Sequence, residues 1–490
     1  MKTMNAKLWI ASIGLVLVAC GGGDNKPANT GGTKKGDGLT KKEEVSKEAE
    51  NKFNAAMDAF IAHDKANDWN EAVCNDVAKQ FESAAAEQKG GSLPEATFNA
   101  GLVFQRCGKD GEAKKRFEKA LSENSQFHHA RAQLALYEYK ANGNEDAAIT
   151  ALQQAVLDAK FQNVPALVNL AMMQMQRDSA QGGDGCKDDM ECAKKNLQRA
   201  LAIDDGFMPA FNQLALYYFN QAKKRAGAIK SGKGKRQIAT NAAIGKRANV
   251  QELELAALVC SQAIRKNPGY APIHNTAGLI QNELGLVNGA VTEFRAAAQL
   301  DARLFEAQMN YAAVNLSFRG FEEAQKAYQK ALEMRPNDYD AHLGLALALR
   351  GQINDSNYDK QVAAVQAELE AAKKIDGARP DAFYNEGILV QEYKSKGLDK
   401  DKTIAAFEQA QTILKSFTEK ANGKPEYDGA VKRAKERVED MDAMKEFIKA
   451  GGSSTAAPPP PVNTGEGPAA PAGGATTDPA PANPAPAPKP

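Results

Sequence analysis

The chain has 490 residues, with 62 Lys and Arg against 61 Asp and Glu. Balanced charge excludes a general nucleic-acid binder, which needs an excess of cations facing phosphate. A chain of this length would make several ordinary domains unless internal repeats turn it into one array.

At the N-terminus, Lys2 and Lys7 precede the apolar run from Leu8 to Val18. That run is too short and wrongly flanked to remain as a spanning helix, so residues 1–19 are predicted to be a signal peptide. Leu17-Val18-Ala19-Cys20 resembles the bacterial lipobox. The resemblance implies cleavage before Cys20, lipidation of Cys20 with palmitate-type chains and stable membrane anchoring, since several acyl chains hold where one does not. Gly21 and Gly22 follow, with no neighbouring Asp to resemble an inner-membrane retention signal, which favours the outer membrane. Residues 20–44 are Gly, Asn, Lys, Thr and Asp with little to bury, and are predicted to be a flexible tether.

From residue 45 to 450 the pattern is helical and periodic. Gly278, Ala312 and Ala346 lie 34 residues apart. Ala290 and Ala324 follow the first two of them by 12 residues, then come Phe294 and Tyr328, then Ala297 and Ala331. Small residues at fixed intervals let two helix backbones cross closely while the aromatic residue fills the space beside them. The period and pattern resemble the tetratricopeptide repeat, which implies an all-α superhelical solenoid of about nine hairpins.

In chain order, Asn54 to Ala56 with Phe81 and Ala84 form a degenerate first unit. Gly101 with Ala113, Phe117 and Ala120 has standard spacing, and Ala135 with Ala148 is one residue longer. Ala171 reaches Ala193 only after ten extra residues, which places an insertion near 178–192. Ala215 reaches Ala256 after 29 extra residues, a second insertion near 220–250. Gly387 pairs with Phe407 and Ala410, and the charged amphipathic run from Pro425 to Ala450 is predicted to be a solvating cap. Residues 451–490 hold more than half of the chain's 21 prolines and are predicted to be a disordered, polyproline-like tail.

Three groups of side chains stand out. Two residues before each small residue of the first helices stand Asn54, Asn99, Gln133, Asn169, Gln213, Asn310 and Asn385, with Thr276 and Gly344 as exceptions. In the tetratricopeptide family this position lies on the inner face, so the amides are a candidate ladder for the backbone of an extended peptide. The alternative is that they are common family residues that cap helices or cross to the next hairpin. The second insertion carries Lys223, Lys224, Arg225, Lys230, Lys233, Lys235, Arg236, Lys246 and Arg247 with no acidic residue between Asp205 and Glu252. Such a block seeks acidic proteins, anionic headgroups or cell-wall polymer, or serves as a solvated loop.

Five cysteines remain beside Cys20. Cys186 and Cys192 flank a short turn and form one candidate disulfide, which leaves Cys74 with Cys107 as the other and Cys260 as a buried core thiol outside both. Asp184, Asp188, Asp189 and Glu191 do not follow a calcium-loop order and are predicted to be solvated. His128 and His129 are adjacent, so a helix should point them apart, and His63, His274 and His342 look scattered. No Gly-rich phosphate loop, nucleophile elbow or His-Glu-x-x-His occurs, so no catalytic residue, cofactor or metal is assigned.

Lipobox, tether, repeats and Pro-Ala tail together resemble the tetratricopeptide lipoproteins of the myxobacterial adventurous gliding-motility machinery. The resemblance implies a lipid-anchored outer-membrane scaffold facing the periplasm, non-enzymatic, whose partners are envelope proteins of a multiprotein complex. A pilotin-like lipoprotein, a subunit of outer-membrane-protein assembly and a peptidoglycan-binding envelope protein are the open alternatives.

Overall fold

Helix starts are written into the sequence. Asn70, Asn144, Asn163, Asp188, Asp338 and Asp399 each accept a hydrogen bond from a backbone N–H two or three residues on, which satisfies a donor that a helix end leaves open. Pro94, Pro165 and Pro272 occupy first-turn positions, where no N–H is needed.

The computed structural model describes residues 45–451 except 67, 184 and 231–237, without the side chains of Lys65 and residues 226–249. Cys20, the tether, the tail beyond Gly451, Asp184, Lys233, Lys235 and Arg236 therefore lie outside the described residues. So do the side chains of Lys230, Lys246 and Arg247.

The described residues hold α-helices and no strand, and they fall into two units, one ending at Asn267 and one starting at Pro268. The first unit holds α1 (Lys47–Ala66), α2 (Glu71–Glu87), α3 (Pro94–Arg106), α4 (Asp110–Glu123), α5 (His128–Asn142), α6 (Glu145–Asp158), α7 (Val164–Arg177), α8 (Asp189–Ile203), α9 (Met208–Lys230) and α10 (Ile238–Lys266). The second holds α11 (Ala271–Glu283), α12 (Val287–Leu300), α13 (Phe305–Ser317), α14 (Phe321–Met334), α15 (Tyr339–Arg350), α16 (Tyr358–Ile375), α17 (Asp381–Leu389), a π-turn (Val390–Lys394), α18 (Lys400–Ala421) and α19 (Asp428–Lys449). Consecutive helices pair into hairpins, five in the first unit and four in the second, and α19 follows the last pair.

Hairpin packing has the cause the spacing suggests. A Cβ placed on Gly101 would stand 2.5 Å from the Phe117 ring, and one on Gly278 would stand 2.6 Å from Phe294. The aromatic residue of the second helix thus lies flat on the small residue of the first. In the next hairpins of the first unit Leu152 and Leu197 take that role, both fully buried beside Ala135 and Ala171. Truncation to Ala should cost about 2–5 kcal/mol at Leu152 or Leu197 and about 3–5 kcal/mol at Phe117 or Phe294.

α19 buries Ala434, Met441 and Ile448, seven residues apart, against Leu414 and Phe417 of α18. Seven-residue spacing keeps one apolar seam on the stack and turns the charged remainder to water.

The insertions sit within hairpins. The first is the loop from Asp178 to Asp188, and the second lengthens α9 and α10 to 23 and 29 residues. Contrary to the reading of its acids as solvated, Asp189 is fully buried. Arg177 donates to both of its oxygens at 2.7 and 2.8 Å, and the Ser179 N–H donates at 2.9 Å. The carboxylate ties the end of α7 to the start of α8, so the inserted loop is closed at its base.

Candidate protein-binding surface

The sequence-predicted amides fall at matching positions on successive first helices, and the structure treats them unequally. Asn54 is exposed, and Asn99 is half-buried with its Nδ2 donating to Glu95 O at 2.8 Å. Gln133, Asn169, Gln213 and Asn385 are buried. Several cross to the neighbouring hairpin. Gln105 Nε2 donates to Gln133 Oε1 at 3.3 Å, Asn310 Nδ2 to Asn275 Oδ1 at 2.9 Å, and Arg350 Nη1 to Asn385 Oδ1 at 3.1 Å. Asn169 is 1 % exposed, and its amide oxygen and nitrogen have no hydrogen-bond partner. The arrangement is a polar row within each unit, partly spent on linking its own helices.

The break in the row at Gly344 has a steric reason that the sequence hides. A Cβ there would enter the ring of Tyr328, which reaches over from α14 and is fully buried. The ring carbons of Tyr328 occupy the place an amide side chain would need.

At the base of the second insertion the described cations are partly answered by acids from outside the basic block. Lys224 pairs with Asp178, and Arg225 Nη1 lies 3.0 Å from Glu252 Oε1. Lys223 Nζ stands 5.2 Å from the centre of the Phe219 ring. Asp178, Asp188, Glu191, Lys194, Tyr217 and Lys224 line an open cavity of about 470 Å³ there.

The cysteines are placed as two bridges. Cys74 of α2 is joined to Cys107 at the end of α3, with Cα atoms 6.5 Å apart, and Cys186 is joined to Cys192 across 5.3 Å. Cys260 is buried on α10 and takes part in neither.

Histidine placement corrects two expectations. His128 and His129 do not diverge: their ring centres are 4.2 Å apart, because both sit in the first turn of α5 and lean on Phe127. Nor are His274 and His342 scattered. They stand 68 residues apart, two repeat lengths, and make the same latch. His274 Nδ1 lies 2.7 Å from Glu293 Oε2 and its Nε2 lies 2.9 Å from Pro268 O. For His342 the partners are Glu368 Oε2 at 2.6 Å and Pro336 O at 2.9 Å. Dividing their separation by 34 would have revealed the pair.

An imidazole flanked by two acceptors satisfies both only when protonated. The hydrogen bond to Glu293 raises the His274 pKa, helped by Pro268 O and opposed by burial. A raised folded pKa means that its contribution is complete below the unfolded value of about 6.5 and is lost as pH rises through the folded one. His129 runs the other way. Burial holds its pKa down to about 4, so its contribution is complete above about 6.5 and declines as pH falls toward 4. Replacing His274 by Gln should therefore reduce the loss of second-unit stability between pH 6 and pH 8.5, read as the shift in urea midpoint. An unchanged pH dependence would rule the latch out as its source.

These hairpins define the class. The tetratricopeptide repeat family matches residues 306–338, the segment of α13, α14 and their turn. Among solved structures, the chain is similar to a thermophilic tetratricopeptide protein of Thermus thermophilus, at 26% identity over 46% of this chain and 99% of that one, with a TM-score of 0.35. It is similar also to a tetratricopeptide repeat protein from Parabacteroides merdae, at 14% identity over 65% and 99%, TM-score 0.34. PilF of Pseudomonas aeruginosa matches at 14% identity over 54% and 98%, TM-score 0.38. No curated protein sequence matches the chain.

Proposed function

We propose that the chain is a non-enzymatic scaffold that binds partner proteins along the first helices of its hairpins, anchored by lipid at Cys20 to the outer membrane and facing the periplasm. The observation that carries the binding half is the polar row. Within each unit amides stand at equivalent positions of the first helices, and Asn54, Asn99 and Asn310 keep accessible surface there, where groups that both donate and accept suit the backbone of an extended segment. The anchoring half rests on the lipobox at Leu17 to Cys20. Within this reading the chain is a component of an envelope-spanning gliding-motility complex.

Two measurements test it. Cys20→Ala should move the protein from the membrane pellet to the soluble periplasmic fraction, and continued pelleting would disprove lipid anchoring. Affinity capture of the full chain from detergent-solubilised envelopes should recover motility proteins. Recovery of a secretin or a barrel-assembly complex instead, or sedimentation with purified cell wall, would replace the gliding assignment with one of the alternatives.

A further inference from the structure

Between α16 and the segment that follows the π-turn lies an open groove of about 520 Å³, walled by Tyr358, Val362, Ala363, Ala367, Tyr393 and Leu398. Its floor is a second helix, so it is separate from the row of amides on the first helices. Two departures from the repeat build it. α16 has 18 residues where α12 and α14 have 14, and its extra first turn carries Tyr358. Tyr393 lies on the π-turn from Val390 to Lys394, a wider turn of the kind that recurs at functional sites. Tyr358 Oη donates to Tyr393 O at 2.6 Å, which fastens one wall to the other, and the two ring centres stand 6.3 Å apart.

The chemistry of the groove suits an uncharged, extended occupant. Asp359 and Glu370 balance Lys394 and Lys396 along it, so no net field selects an ion. Apolar walls with two tyrosine rings fit a proline-rich segment. Its preset backbone loses little freedom on docking, and its prolines bring no N–H to be desolvated.

The chain carries such a segment within reach. α19 runs antiparallel to α18: the Tyr427 ring lies 6.4 Å from that of Phe417, while Val438 O and Lys445 Nζ meet the Gln411 amide at 3.0 and 2.7 Å. α19 therefore ends toward the start of α18, the end at which Leu398 lies. Residues 452–490 continue from there. They hold Pro458-Pro459-Pro460-Pro461 and the Pro-Ala runs from Pro479 to Pro490, and their only charged side chains are Glu466, Asp478 and Lys489. At about 3.1 Å per residue a polyproline-type tail of this length spans on the order of 100 Å, several times the width of a hairpin.

We propose that this groove is the dock of the chain's own C-terminal tail, residues 452–490, with a proline run lying across Tyr358 and Tyr393. Tethering gives the tail an effective concentration on the order of millimolar at the groove, so even a weak contact is filled. The docked tail closes this face to other chains. The inference uses none of the first-helix amides and stands apart from partner binding along them.

The test places a benzophenone amino acid at Ala363 of the full chain, irradiates it in intact cells and as purified protein in detergent, and maps the adducts by mass spectrometry. Ala363 and Ala367 are exposed, so changes there leave the buried seam of Val362, Val365 and Leu369 in place. The main adduct should join Ala363 to residues 452–490 and run as a monomer. Its yield should fall at least about tenfold when the tail prolines are replaced by Ser, and likewise with Ala367→Arg, which obstructs the groove. The probe at Ala367, with Ala363→Arg as the obstruction, gives the same comparison should the first set fail to fold.

Adducts that run as dimers, adducts with another envelope protein in place of the tail, or no tail adduct at all would overturn the assignment. So would a tail adduct whose yield ignores both the proline replacement and the obstruction.

Discussion

Gly344→Asn is expected to destabilise the second unit by about 3 kcal/mol, the upper end of the overpacking range, and to lower its melting temperature by roughly 6–12 °C. By sequence pattern the change looks like a repair, since Asn or Gln fills this position in most of the other hairpins. Sterically it drives a side chain into the fully buried Tyr328 ring. That ring has nowhere to retreat: its hydroxyl is already buried without a hydrogen-bond partner, and burial raises its pKa. Shortening the tyrosine should relieve the conflict. In a double-mutant cycle, Tyr328→Leu with Gly344→Asn should lose at least about 1 kcal/mol less than the sum of the single losses. Simple additivity would mean that the two positions do not compete for one space.

In the first unit, Asp189→Ala is expected to cost about 3–5 kcal/mol, the range for breaking a buried ion pair by removing one partner. Burial by itself would raise the Asp189 pKa, yet the Arg177 guanidinium and the Ser179 amide outweigh it and hold the carboxyl below its ordinary value. A lowered folded pKa contributes stability that is present above the unfolded value and lost as pH falls through the folded one, so the difference between native and variant should narrow in acid. Asp146 also meets Arg177 but is exposed and replaces little of the lost pairing. Urea unfolding at pH 7 measures the difference. A loss below about 1 kcal/mol would show that the inserted loop is not held at its base by this pair.

The period of the small residues made the hairpins legible, because close helix crossing tolerates Gly or Ala alone and marks the sequence at each turn of the stack. Insertions were legible for the same reason, as departures from a fixed spacing. What escaped was whatever depends on a neighbour from another hairpin. Gly344 looked like an omission from a row of amides, and its cause is the ring of a tyrosine 16 residues earlier that lies over the position. Asp189 looked like one acid in a solvated loop, and only the closing of α7 against α8 buries it. The π-turn left no mark in composition, since Val390 to Lys394 reads as ordinary helix, and so the groove beside Tyr393 was not foreseen. Of the candidate surface, the register of the amides could be read in advance, but their division into exposed, buried and cross-linked members could not. That division is set by side chains one repeat away.

The central claim is that partners lie along the first helices. A photo-crosslinking amino acid placed singly at Asn54, Asn99 or Asn310, and for comparison at the exposed Leu157 or Leu300 on second helices, tests it in intact cells. The account predicts adducts with envelope proteins from the first-helix positions and few from the second. Adducts confined to Leu157 and Leu300, or none from any first-helix position, would contradict it.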